Sequence, residues 1–173
     1  ATVLSCTGVA SDPDGGVVSY DYQWQNLQTG QVLGSATSLA LDPSLAQPSE
    51  EVSCTITATD PAGDSAASSS TVMVGNLPPS ISNIAISPSN GITTSSSLAC
   101  SATITDPDNE PLNPSYEWTA GGAVLGSGDS ITLSPATVNQ GATLRCTISV
   151  QDAFGASASE STEVTVNSAP TID

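Results

Sequence analysis

Four cysteines and a set of loop carboxylates are the side chains of this sequence equipped for chemistry. Cys6, Cys54, Cys100 and Cys146 can close disulfides. Asp12, Asp14, Asp60 and Asp64, and later Asp106, Asp108, Glu110 and Asp152, can offer oxygens to a hard cation. Ca2+ takes six to eight such oxygens, and carboxylates alternating across a tight turn can aim theirs at one point. The same Asp-Pro-Asp-Gly stretch is also a strong turn former with no ion present. It lacks the full EF-hand pattern, so Ca2+ stands here as an optional ligand. Other catalytic chemistry has no side chains to work with. There is no His, and Arg145 is the sole basic residue. That removes His-based triads, His metal sites and lysine Schiff bases. Paired carboxylates can hydrolyse glycosides, but short loops and 3% aromatic residues supply neither a cleft nor a stacking surface. No enzyme is expected and no cofactor is required.

Both sets occur twice. Cys6, Trp24 and Cys54 return as Cys100, Trp118 and Cys146. Ser11-Asp12-Pro13-Asp14-Gly15 returns as Thr105-Asp106-Pro107-Asp108-Asn109, and Val32-Leu33-Gly34-Ser35 as Val124-Leu125-Gly126-Ser127. The offset is 94 residues up to the Trp and 92 at the second Cys. A self-match at one offset marks a repeated domain. The two-residue difference falls just after the Trp, in a hairpin loop that tolerates it. The organisation expected is one domain over 1–76 and a second over 77–168. Residues 169–173 resemble the opening of the second copy and read as the start of another domain.

Each copy is small, and only 38% of residues are hydrophobic, so each core is thin. Small domains of that kind usually need covalent help. Four cysteines allow three pairings. The repeat favours Cys6–Cys54 and Cys100–Cys146, because each bond then closes within its own copy. By chain entropy each closure is worth roughly 4 kcal/mol. Disulfides imply an oxidising compartment. No signal peptide and no apolar run long enough to span a bilayer is present. The chain thus reads as a mature extracellular segment, with any targeting or anchoring part outside it. Its net charge of −16 opposes binding to nucleic acid or to an anionic membrane.

Short segments alternate apolar and polar residues between Gly, Pro, Asp and Asn, as in an all-β sandwich. Leu144, Cys146, Ile148 and Val150 alternate with Arg145, Thr147, Ser149 and Gln151. Val52, Cys54, Ile56 and Ala58 do the same. The cysteines therefore lie on the apolar face, where they can bridge two sheets. Trp24 and Trp118 alternate with polar neighbours and are assigned to the core, beside the disulfides. Strands are expected at 2–10, 19–25, 32–34, 38–41, 51–59 and 69–74 in the first copy. In the second they are expected at 80–87, 97–105, 115–119, 123–126, 130–133, 142–151 and 161–166.

This Cys–Trp–Cys arrangement resembles the immunoglobulin fold. With Cys100-Ser-Ala-Thr-Ile-Thr-Asp106-Pro-Asp108 and Tyr22-Gln-Trp24, it is more closely similar to the tandem Ig-like repeats of large bacterial surface proteins. The resemblance implies two tandem antiparallel Ig-like β-sandwiches, each with one intersheet disulfide. It also implies a bacterial cell-surface or extracellular setting. The position two residues before the second Cys, a tyrosine in antibody domains, is Val52 or Leu144 here.

The first copy has no counterpart of strand 80–87. Two explanations fit: a window on a longer tandem array, which is preferred, or a strand donated by the C-terminal segment of another chain. Gly75-Asn76-Leu77-Pro78-Pro79 reads as a short, stiff linker. The function expected is structural: a repeat unit of an extracellular fibre, stalk or surface assembly whose partners are its own head-to-tail copies. The alternative is an adhesive module that grips a surface glycan or protein. Phe154 and Leu77 are its candidate contact residues, though Phe154 is expected to pack against a neighbouring domain.

Overall fold

The computed structural model describes residues 2–168. It divides into two units, Ala1–Asn76 and Leu77–Asp173. The expected opening of a further domain at 169–173 lies outside the described residues. Among the described residues all regular structure is β. The first unit contains β1 (Thr2–Ser5), β2 (Ser19–Asn26), β3 (Val32–Gly34), β4 (Ser38–Leu41), β5 (Glu51–Thr59) and β6 (Ser65–Met73). The second contains β7 (Ser80–Ser87), β8 (Ser97–Thr105), β9 (Ser115–Ala120), β10 (Ala123–Ser127), β11 (Ser130–Thr132), β12 (Thr143–Gln151) and β13 (Ser157–Thr165).

Each unit is a sandwich of two antiparallel sheets. In the first, β1-β4 faces β3-β2-β5-β6; in the second, β11-β8-β7 faces β10-β9-β12-β13. Alternation along the strands decides which side chains turn inward. On β12, Leu144, Cys146, Ile148 and Val150 are all buried. One disulfide links the sheets of each unit, Cys6–Cys54 and Cys100–Cys146, with Cα separations of 6.3 and 6.5 Å. The tryptophans lie against them. Trp24 is 3% exposed and Trp118 fully buried. Each indole N–H still finds an acceptor, Ala36 O at 2.8 Å and Gly128 O at 3.0 Å. A buried ring that kept this donor unpaired would cost stability.

The extra two residues of the first copy lie between β2 and β3. In the second unit Gly121 and Gly122, with φ of 56° and 84°, make the tight β9–β10 turn. Such a two-residue hairpin needs positive φ at both positions. In the first unit buried Asn26 organises the longer loop instead. Its Oδ1 accepts from Gln28 N at 3.0 Å and Thr29 N at 3.2 Å, and its Nδ2 donates to Leu45 O and Glu50 Oε2.

Two strand expectations need correction. The strand expected over 2–10 stops at Ser5. Its counterpart β8 runs on to Thr105 because β7 pairs with it as far as that residue; in the first unit nothing equivalent supports 6–10. The last strands begin at Ser65 and Ser157, four residues before the expected 69 and 161. Tight turns set these starts. Asp60 N donates to Asp64 O at 3.0 Å, and Asp152 N to Ala156 O at 2.9 Å. Ser65-Ala66-Ala67-Ser68 and Ser157-Ala158-Ser159-Glu160 carry no large apolar side chain to mark a strand, yet the ladder is made by backbone and needs none.

Candidate metal site in the second unit

The loop between β8 and β9 and the turn between β12 and β13 meet at one end of the second sandwich. They bring Asp106, Glu110 and Asp152 together, with one carboxylate oxygen from each lying within 4.8 Å of the others. The local folding of each loop positions these groups. Asp106 Oδ1 accepts from Asp108 N at 2.7 Å, which closes the Asp-Pro-Asp turn. Asn109 follows with φ of 62°, a left-handed conformation that Asn tolerates better than most residues. Asp152 is buried, and its Oδ1 accepts from Phe154 N and Ala156 N, both at 2.9 Å. Glu110 reaches across, and its Oε2 accepts from Ala153 N at 3.2 Å.

Two oxygens in this cluster have no hydrogen-bond partner among the described residues. They are Asp106 Oδ2 and Glu110 Oε1, both shielded from solvent. Buried carboxylate oxygens without donors are costly unless a cation serves them. Glu110 registers that cost. Loss of water around its carboxyl raises its pKa, and the charges of Asp152, Asp106 and Asp108 push it up further against the opposing Ala153 N–H. A divalent cation would supply the missing positive charge and satisfy both oxygens.

The remaining carboxylates singled out in the sequence are placed differently. Asp108 is buried, but its Oδ2 accepts from Leu77 N at 2.6 Å. In the first unit Asp12 Oδ1 accepts from Asp14 N and Oδ2 from Gly16 N, both at 2.9 Å. Asp60 Oδ1 accepts from Asp64 N at 2.9 Å. Among the described residues, Asp12, Asp14, Asp60 and Asp64 form no cluster like that of Asp106, Glu110 and Asp152. The residue that separates the copies is Gly16. At the offset of 94 it stands where the second copy has Glu110. A Cβ there would run into Asp12 Oδ2 and come within 3.0 Å of Pro61 Cδ. Gly16 was not singled out by sequence reasoning, although the repeat alignment contains the signal.

The two contact candidates are both exposed, Phe154 at 45% and Leu77 at 52%. Trp24 and Trp118 belong to the two cores.

No curated protein matches the chain. Among solved structures it is similar to the amphioxus IgVJ-C2 molecule, with 16% identity over 95% of this chain and 96% of that one, at a TM-score of 0.44. It is similar to the three N-terminal domains of the highly immunogenic outer capsid protein (Hoc) of bacteriophage RB49, with 17% identity over 95% of this chain and 53% of that one, TM-score 0.37. It is also similar to the fibronectin(III)-like modules of Clostridium thermocellum CbhA, with 15% identity over 96% and 94% of the respective chains, TM-score 0.39. The family described as REJ domain matches residues 3–172, nearly the whole chain, and this protein belongs to that family.

Proposed function

We propose that this REJ-domain chain is a structural module of an extracellular assembly, with its second sandwich clipped by Ca2+ across the two loops that carry Asp106, Glu110 and Asp152. Disulfide-stapled Ig-like sandwiches suggest an extracellular or secreted setting. Repetition of one sequence frame in tandem supports the finer reading, a head-to-tail repeat unit of a fibre, stalk or surface layer. The bacterial setting rests on the sequence resemblance alone. A passive role suits the residues present: the chain carries no His, and Arg145, its single basic side chain, pairs with Glu163 at 2.6 Å.

The observation that carries the calcium reading is the pair of shielded, unpartnered oxygens on Asp106 and Glu110. Asp106, Glu110 and Asp152 would supply three of the ligands, with backbone carbonyls and water completing the set. Affinity should fall near 10⁻⁴–10⁻³ M, roughly the range of extracellular Ca2+ modules. The test is calorimetric titration of the intact chain with CaCl2, together with melting in Ca2+ and in chelator. At ten times Kd the second unit should melt about 5–10 °C higher. No binding heat and no shift in melting would end the calcium reading.

The adhesive alternative is favoured by one observation, the exposed Phe154 ring and Leu77 side chain. It is separated from the structural reading by Phe154→Ala. Loss of glycan or protein capture at an unchanged melting temperature would favour adhesion.

A further inference from the structure

Asn90 is the one asparagine of this chain that is followed by glycine. The others stand before Leu27, Leu77, Ile84, Glu110, Pro114, Gln140 and Ser168. The difference is chemical. An asparagine carboxamide is open to attack by the main-chain nitrogen of the next residue, and a side chain on that residue shields the nitrogen. Glycine has no Cβ to do so. Proline has no N–H to give up.

The fold leaves this pair unprotected. The connection 88–96 runs from β7 to β8, and Asn90 and Gly91 are both exposed at its bend. Among the described residues no hydrogen bond engages the Asn90 side chain or the Gly91 N–H. A Cβ on Gly91 would meet nothing within 4 Å, so the space about the bend is open. Comparable positions are tied down. Asn83 Nδ2 donates to Thr103 Oγ1 at 3.4 Å. In the related pair Asp14-Gly15, Gly15 N donates to Asp12 O at 3.0 Å. The ends of the bend are anchored as well. Ser87 closes the β7 ladder opposite Ala99. Ile92 is fully buried, and its carbonyl accepts from Asn167 N at 2.7 Å. Thr93 N donates to Ser96 Oγ at 2.9 Å.

We propose that Asn90–Gly91 is a site of spontaneous covalent modification, at which the chain passes through a succinimide to aspartate and isoaspartate. The Gly91 nitrogen loses its proton and bonds to Asn90 Cγ. The Cγ–Nδ2 bond breaks, and Nδ2 takes up that proton and leaves as ammonia. Water then opens the ring. Addition at Cγ breaks its bond to the Gly91 nitrogen and leaves aspartate. Addition at the main-chain carbonyl carbon breaks the other C–N bond and leaves isoaspartate, joined to Gly91 through Cγ. Nothing is oxidised or reduced, and water is the sole co-reactant. Both products add a negative charge. Isoaspartate also lengthens the main chain by one carbon just ahead of Ile92. The buried Ile92 cannot follow freely, so the bond from Asn167 N to its carbonyl weakens. The proposal stands apart from the calcium and assembly readings.

The test is to age the intact, disulfide-bonded chain at physiological pH and temperature. Its peptides are then mapped by mass spectrometry, with fragmentation that separates isoaspartate from aspartate. A synthetic peptide spanning 87–94 is the unfolded reference. Asn90 should convert at least ~10-fold faster than any other asparagine, and within ~3-fold of its rate in the peptide, because neither a neighbouring side chain nor the fold shields it. Isoaspartate should be the major product. Asn90→Gln should melt as the wild type does and show no conversion at this position over the same period. The separated isoaspartate form should exchange its Asn167 amide faster than the unaged chain. Conversion no faster than at Asn83 or Asn167, aspartate without isoaspartate, or a folded chain far slower than the peptide would overturn the site. An unchanged Asn167 amide would overturn its effect on Ile92.

Discussion

The two sandwiches share a disulfide, a buried tryptophan and the order of their second sheet, yet they differ in how completely each core is closed. Ile148 is fully buried in the second unit; its counterpart Ile56 is only half-buried. Leu98 is buried where Leu4 is half-buried, and β6 is exposed along its whole length. One strand accounts for the pattern. β7 covers the edge of β8 and the flank of β13, and the first unit offers no counterpart among the described residues. A frame of cysteines and tryptophan is enough to set up a sandwich, but closure of the core depends on the edge strand. The loops differ on a smaller scale. Asp12 is fully satisfied by two backbone N–H groups, whereas Asp106 faces Glu110 and Asp152 with one oxygen unserved.

Three experiments break or sharpen this comparison. The largest effect should come from removing a disulfide. Replacing Cys6 and Cys54 by Ala should cost about 4 kcal/mol by chain entropy, enough to unfold the less closed unit. The matching Cys100/Cys146 pair should cost a similar amount but leave its unit folded, because its core is more completely buried. Two-transition melting would separate the units. If the second unit unfolded first, the difference in closure would not govern stability.

Next in size is the isoleucine pair. Ile148→Ala should cost about 3 kcal/mol, as for a fully buried methylene-rich side chain. Ile56→Ala should cost about half as much, because its site is already open to water. Denaturant unfolding reads both, and equal losses would mean that Ile56 is covered in solution.

Glu110→Gln should act least and most selectively. The folded pKa of Glu110 is raised, chiefly by desolvation and then by neighbouring carboxylates. Its stabilising contribution is therefore present in acid, below the ordinary carboxylate pKa, and is lost as pH rises through the raised value. In chelator, wild type should lose stability relative to Glu110→Gln as pH climbs toward neutrality. At neutral pH Ca2+ should raise the melting temperature of the wild type by several degrees and leave the variant almost unmoved. Parallel pH profiles for the two proteins would remove Glu110 from the site.

Much of this was legible in the chain itself. The alternation around Cys54, Cys100 and Cys146 placed each cysteine on an apolar face, and the 94-residue repeat paired them within each copy. The same alternation turned Trp24 and Trp118 inward. These are local regularities, and local sequence carries them. The loop carboxylates were visible as a set, but their grouping was not. Asp106 and Asp152 are brought together by a sandwich that folds two distant hairpin ends to one place, and Asp108 is drawn instead to Leu77 N.

By itself the sequence determined two all-β units, their disulfides and the inward face of each strand, because side-chain period and repetition are properties of neighbouring residues. Only the tertiary structure decided where strands stop and which charges meet. β1 ends at Ser5 and β8 at Thr105 although their sequences run in parallel, since a strand extends only as far as a partner pairs with it. Glu110 completes a carboxylate cluster and Gly16 does not, since a cation site depends on oxygens converging in space from separate loops.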